Sequence, residues 1–186
     1  VYDFIKYDVA VYASAPANWS LADRIAEMDG VEMVMPLGYI RCMDPNTNRS
    51  ISVYVVELEH LLDFFNLKFE KNTTYPDKLT NTSIIMSKVV AKRLGVLKNK
   101  SIALRTEIGD VNFTIAAIFK VQVYMRWIWF AESPLSDVIF MDVETVRKCF
   151  PYSFRNFAVA FLIKVRKNVD PAAIKEKAIG IVGKNI

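Results

Sequence analysis

Two stretches near opposite ends of the chain carry the same order of elements, and that repetition limits the folds open to it. From Val9 the residues alternate as in a strand up to Ala13, and Pro16 is expected to end it. A helix follows with Ser20 as N-cap, Asp23 in its first turn and Leu21, Ile25 and Met28 on one face; Gly30 stops it before a strand over Val31–Pro36. Near the other end, Val138–Met141 reads as a strand, Asp142 caps a helix running to Cys149, and Ala158–Val165 is again a strand. Asp170-Pro171 opens a last helix, with proline at the first helical position, where no N–H is needed. The pattern predicts an α+β fold of two lobes. A strand–helix–strand lobe takes residues 1–58 and 134–186 from both chain ends, and a β-rich lobe, 59–133, is inserted between them. The two termini are then expected to lie near each other.

The middle of the chain is punctuated for sheet. Tyr39–Met43 and Ile51–Val56 flank the turn-forming run Asp44-Pro-Asn-Thr-Asn48 and read as a hairpin. A short helix is expected from His60 to Leu67, and the polar run Asn72–Asn81 reads as a surface loop. Ile84–Met86 is a short strand, and Ser87 caps a helix that Gly95 ends. Ser101–Arg105 and Val111–Phe119 form a second hairpin, and Val121–Phe130 is predicted to extend the sheet.

Composition removes several function classes. The chain has 186 residues, of which 53% are hydrophobic and 24% charged, enough for one substantial core or two small ones. Its net charge of +4 comes from scattered residues instead of a basic stripe, so nucleic acid is not an expected partner. The longest apolar runs, Ile115–Phe119 and Phe157–Ile163, fall far short of the ~20 residues a membrane helix needs. Val1 carries neither an initiator methionine nor a signal-peptide pattern, so the chain is expected to be a segment of a longer one. No G-x-S-x-G, Walker A or HExxH pattern occurs, and the glycines are too dispersed to cradle a phosphate chain. His60 beside Glu57 and Glu59 reads as a solvated turn more readily than as a general base. Neither catalysis, a metal nor a cofactor is expected.

Four features remain as candidates. The run Tyr124-Met-Arg-Trp-Ile-Trp-Phe130, taken as a strand, puts Met125, Trp127 and Trp129 on one face, either inside the core or as a contact for a partner or cargo. Lys88, Lys92 and Arg93 read as the wet face of a helix or as a phospholipid contact. Six of the eleven asparagines, Asn18, Asn48, Asn72, Asn81, Asn99 and Asn112, fit the N-x-Ser/Thr acceptor pattern, as glycosylation sites or because Asn, Ser and Thr share turns. Cys42 and Cys149 are a disulfide or two buried thiols.

Taken in order, several segments resemble the extracytoplasmic domain of MacB-like and FtsX-like ABC transporter permeases. Asp8-Val-Ala-Val-Tyr12 is similar to the strand leaving the first membrane helix in that family, and Ile25 through Gly30-Val31 to Pro36 resembles its helix, Gly-Val, strand and proline signature. Ile84 through Leu94-Gly95 is similar to its second capped helix. Lys100–Leu104, Gly109 and Phe113–Phe119 resemble the hairpin that comes next. Val138–Asp142 and Phe161–Ile174 resemble the run returning to the membrane. Lys98-Asn-Lys100 departs from the family's Gly-Asp at the hairpin, and 72–81 has no counterpart. The resemblance implies a porter-like lobe, a sabre-like lobe and no chemistry of the domain's own. It also implies membrane helices in the same chain, a separate or fused cytoplasmic ATPase, a permease homodimer or heterodimer, and an extracellular protein or lipid cargo. The location implied is the cell membrane, with this domain on the extracytoplasmic side. A membrane-tethered binding module for a peptide or lipid is the alternative.

Overall fold

The computed structural model describes residues 4–71, 79–80, 82–97, 100–122, 125–126, 128 and 130–183. The fold is α+β, and the chain divides into two compact units: the first takes Val1–Gly38, His60–Asn66 and Asn156–Ile186, the second Tyr39–Glu59 and Leu67–Arg155.

The first unit is built on β1 (Val9–Asn18), the N-terminal part of β2 (Val31–Met43) and β8 (Phe157–Val165). β8 lies between the other two and is antiparallel to both, with Val11 opposite Phe161 on one side and Met35 opposite Leu162 on the other. Along β8 the consecutive residues Ala160, Phe161, Leu162 and Ile163 are all fully buried, so both faces of this central strand are covered. Helix α5 (Pro171–Gly183) packs on β1 and on α1 (Leu21–Ala26) through Ile174, Ala178 and Val182. Residues 60–66, with the short helix α2 (Leu61–Phe64), join this unit by backbone pairing: Lys6 N–H donates to Phe64 O at 3.0 Å and Asn66 N–H to Phe4 O at 2.8 Å. The Tyr7 ring meets Phe65 edge-on at 5.9 Å, and burial pushes its phenol pKa upward.

β1 continues through Pro16 instead of ending there. The β1–β8 register breaks between Tyr12 and Ala17, so proline sits where the ladder asks for no donor. Ser20 occupies the cap position of α1 without capping it. Its N–H and hydroxyl both donate to Asn18 Oδ1, at 3.0 and 2.8 Å, and the nearby asparagine captures the serine. Gly30 has φ +90°, and a Cβ there would stand 2.7 Å from Val169 Cγ1.

The second unit holds the end of β2, β3 (Ser50–Val56), β4 (Ser83–Ser87), β5 (Ser101–Thr106), β6 (Gly109–Phe119) and β7 (Ile139–Asp142). Their order is β2-β3-β7-β4-β6-β5, and Met43 opposite Arg105 returns β5 to β2, closing the strands into a ring. β3–β7 and β4–β6 are parallel, while β4–β7 and β5–β6 are antiparallel. Tyr54, Phe113, Phe119 and Phe140 fill the interior. Helices α3 (Lys88–Arg93) and α4 (Val143–Cys149) are capped as the sequence predicts: Ser87 Oγ accepts from Val90 N–H at 3.2 Å and Asp142 Oδ1 from Glu144 N–H at 3.0 Å.

The unit boundaries fall elsewhere than at 58 and 134. Segments 39–58 and 134–155, expected in the lobe of the chain ends, lie in the second unit because β3 pairs with β7 and β7 with β4; 60–66, expected in the inserted lobe, pairs with the N-terminal segment. The second strand–helix–strand run is therefore divided, β7 and α4 in one unit and β8 in the other.

Candidate functional site

A charged feature of the second unit is an open cleft of about 390 Å3 beside α3. Two pieces of chain fix its walls. Phe69 bridges to Phe119 at the end of β6, Glu70 N–H donates to Ile118 O at 2.9 Å, and Lys120 N–H donates to Lys68 O at 2.7 Å. This pairing brings Glu70, Lys71 and Lys120 together from distant parts of the sequence. The opposite wall is α3, anchored on β4 and β6 through buried Val90 and Ala91, which turns Lys88, Val89 and Lys92 toward the opening. Four lysines and one glutamate line the cleft, a formal charge of four less one, +3. Lys88 Nζ is paired with Glu70 Oε1 at 2.8 Å. That hydrogen bond first, with the positive charges of Lys120 and Lys92 adding to it, holds the Glu70 carboxyl below its usual pKa.

Among the described residues of the aromatic run none lies in the strand that its composition suggests. Met125 lies in a tight turn, its N–H donating to Gln122 O at 3.0 Å and its sulfur accepting from Gln122 N–H at 3.3 Å, and its side chain is completely buried. Met125 is a core residue, not an exposed contact; Trp127 and Trp129 lie outside the described residues. The segment from Phe130 to Ser133 is held by Tyr54. Its buried hydroxyl donates to Ser133 O and accepts from Phe130 N–H at 3.3 Å, and its ring meets Phe130 edge-on at 5.8 Å. Short contacts from Ser52 to Ser133 and from Arg41 to Glu132 tie the same segment down. Nothing local in the sequence marks Tyr54 for this task, because its partners lie 76 and 79 residues away.

Of the asparagine acceptor candidates, Asn18, Asn48 and Asn112 are exposed, whereas Asn72, Asn81 and Asn99 fall outside the described residues. Asn48 takes φ 53° in the β2–β3 turn, and its side-chain oxygen accepts from Arg105 Nη1 at 3.2 Å. Cys42 and Cys149 are free and buried, and burial pushes the Cys42 thiol up to about 12, so it stays protonated and unreactive at neutral pH. His60 Nδ1 lies 3.3 Å from Asp63 Oδ2 at a partly exposed helix start.

No protein-family profile and no curated protein matches this sequence. Solved structures do match its fold over nearly the whole chain. The periplasmic region of MacB from Actinobacillus actinomycetemcomitans aligns with a TM-score of 0.62 at 11% identity, covering 95% of this chain and 84% of that one. The extracellular domain of the noncanonic ABC-type transporter YknZ from Gram-positive bacteria aligns with a TM-score of 0.64 at 11% identity, covering 95% of this chain and 92% of that one. This chain shares the fold of these periplasmic and extracellular domains. A domain described as part of a permease protein from Porphyromonas gingivalis adds a TM-score of 0.61 at 16% identity, over 99% of this chain and 87% of that one. Among the described residues no helix is long and apolar enough to cross a membrane.

Proposed function

We propose that the chain is the extracytoplasmic domain of an ABC transporter permease of the MacB/FtsX type, with no catalytic chemistry of its own. In this role it couples ATP-driven motion of the membrane helices to a partner or cargo outside the cell. One observation carries the reading: the fold corresponds almost end to end, over 95–99% of this chain, with domains of that origin. A shared supersecondary motif would be confined to part of one unit. The arrangement of the chain ends is consistent with such a role. β1 and α5, the first strand and the last helix, belong to the same unit and pack on each other, so force applied at either end acts on one body.

In this reading the unit of the chain ends is the porter-like lobe and the other the sabre-like lobe. The membrane helices belong to the same polypeptide, a separate or fused cytoplasmic ATPase supplies the motion, and a like or unlike permease completes a dimer. The outside partner is a protein or lipid cargo, and the site of action is the extracytoplasmic face of the cell membrane.

Two measurements on the full-length gene product test this. Its sequence should carry one apolar span of ~20 residues before Val1 and three after Ile186; their absence removes the permease reading. A flexible Gly/Ser linker inserted after Ile186 should abolish the transport or signalling output while ATP hydrolysis by the associated ATPase continues. Undiminished output with the linker in place contradicts the coupling role.

A further inference from the structure

We propose that the lysine-lined cleft of the second unit binds a phosphate-bearing group. This inference stands on the cleft alone and does not depend on the permease reading. Lys88 and Lys92 are one helical turn apart on α3, a spacing at which like charges repel, and Lys71 and Lys120 add to the same field from the facing segment. Only Glu70 offsets them among the residues that line the cleft, and it is engaged by Lys88. Among the described residues no carboxylate forms a close ion pair with Lys71, Lys92 or Lys120, although Lys92 and Lys120 lie within the field of Glu70. Such a concentration of one sign in a concave site raises the local anion concentration, and a bound oxyanion relieves the repulsion.

The ligand's chemistry is set by the donors. Lysine ammoniums are point charges with three rotatable N–H groups, and none of the described lining residues supplies a guanidinium fork to select a planar carboxylate. A phosphoryl group, with several oxygens spread in three dimensions, can accept from ammoniums arriving from two walls at once. The volume, about 390 Å3, suits a headgroup or small phosphorylated molecule. Val89, 39% exposed at the rim, adds an apolar surface for whatever carries the phosphate.

The test uses the chain itself with two probes: inorganic pyrophosphate by titration calorimetry, and flotation with phosphatidylcholine vesicles containing phosphatidic acid. Pyrophosphate binding is expected, and the triple variant Lys71→Gln, Lys92→Gln, Lys120→Gln is expected to weaken it by at least about tenfold. A control removing equal charge from the other unit, Lys167→Gln, Lys175→Gln, Lys177→Gln, should change it less than about twofold. Glu70→Gln removes the one negative charge among the described lining residues and releases Lys88, so it should bind pyrophosphate at least as tightly as the native chain. These substitutions are at exposed side chains and the half-buried Glu70, outside the core, and unchanged circular dichroism would verify that the core stays intact. Vesicle binding that pyrophosphate competes away assigns a lipid headgroup as the source, and pyrophosphate binding without vesicle binding assigns a soluble phosphorylated ligand; either supports the proposal. Failure of both probes, equal loss in the two triple variants, or weaker binding by Glu70→Gln overturns it.

Discussion

Replacing Gly30 by alanine should destabilise the first unit severely, for two separable reasons. The backbone sits at φ +90°, where an L-residue pays roughly 1–2 kcal/mol. The new methyl would also lie 2.7 Å from Val169 Cγ1 and 3.1 Å from its Cγ2, an overpacking that costs about 1–3 kcal/mol. The neighbour cannot easily yield: Arg166 N–H donates to Gly30 O at 2.8 Å and Val169 N–H to Arg166 O at 3.2 Å, so the turn leading into α5 is tied to Gly30 itself. Alanine lowers the entropy of the unfolded chain, returning about 0.4–1 kcal/mol. The net loss centres near ~3 kcal/mol, which at a urea dependence of about 2 kcal/mol/M moves the unfolding midpoint by about 1.5 M. Urea titration by circular dichroism measures the shift, and hydrogen exchange should locate it in β8 and α5. Val169→Ala removes the clashing methyls, so the double variant should be no less stable than Gly30→Ala although Val169→Ala alone is destabilising. A Gly30→Ala midpoint within about 0.2 M of native refutes the strain argument, and simple additivity of the two substitutions refutes the clash.

Three further outcomes are expected. Tyr54→Phe leaves the Phe130 N–H and the Ser133 carbonyl without their buried partner and should cost about 1–3 kcal/mol in urea unfolding, with faster exchange confined to residues 130–135. Asp44, through hydrogen bonds from the Thr47 hydroxyl and the Asn46 and Thr47 N–H groups, has a lowered pKa. At Glu107 burial pushes the pKa up, but hydrogen bonds from the Ser153 hydroxyl and the Tyr152 and Ser153 N–H groups outweigh it, and the value is lowered too. Their contributions are therefore complete above the ordinary carboxylate range near ~pH 4 and lost as pH falls through the depressed values, so Asp44→Asn with Glu107→Gln should flatten the acid limb of a stability–pH profile. Expressed through a glycosylating secretory pathway, the chain should carry glycans at the exposed Asn48 and Asn112, seen as mobility shifts that deglycosylation or Asn→Gln removes.

Local features are the ones legible in the sequence. Ser87 and Asp142 cap their helices as predicted because an N-cap needs only a side-chain oxygen and an N–H two or three residues on. Ser20 fails the same rule because its backbone is already helical, at φ −64° and ψ −10°, and its hydroxyl is turned to donate to Asn18 Oδ1. Pro16 looks like a strand stop because the break in the β1–β8 ladder that accommodates it is set by a partner strand some 140 positions away. The run 121–130 has two apolar faces in sequence and so mimics a buried strand, whereas among its described residues Met125 is buried in a turn and Phe130 is held by Tyr54. The unit boundaries depend on the parallel pairing of β3 with β7, for which no hairpin turn or composition leaves a trace. The cleft is half visible: Lys88 and Lys92 share a helix face by spacing, but Glu70, Lys71 and Lys120 reach them only through the Phe69–Phe119 bridge.

On the proposed reading, the domain stands outside the cytoplasmic membrane. Tyr152 is 76% exposed, and both cysteines of this domain are buried, so Tyr152→Cys adds an accessible thiol whose labelling is read against the unsubstituted full-length gene product. A membrane-impermeant maleimide applied to cells or spheroplasts with an unbroken cytoplasmic membrane should label it as fully as in lysed cells. Labelling that appears only after lysis contradicts the account.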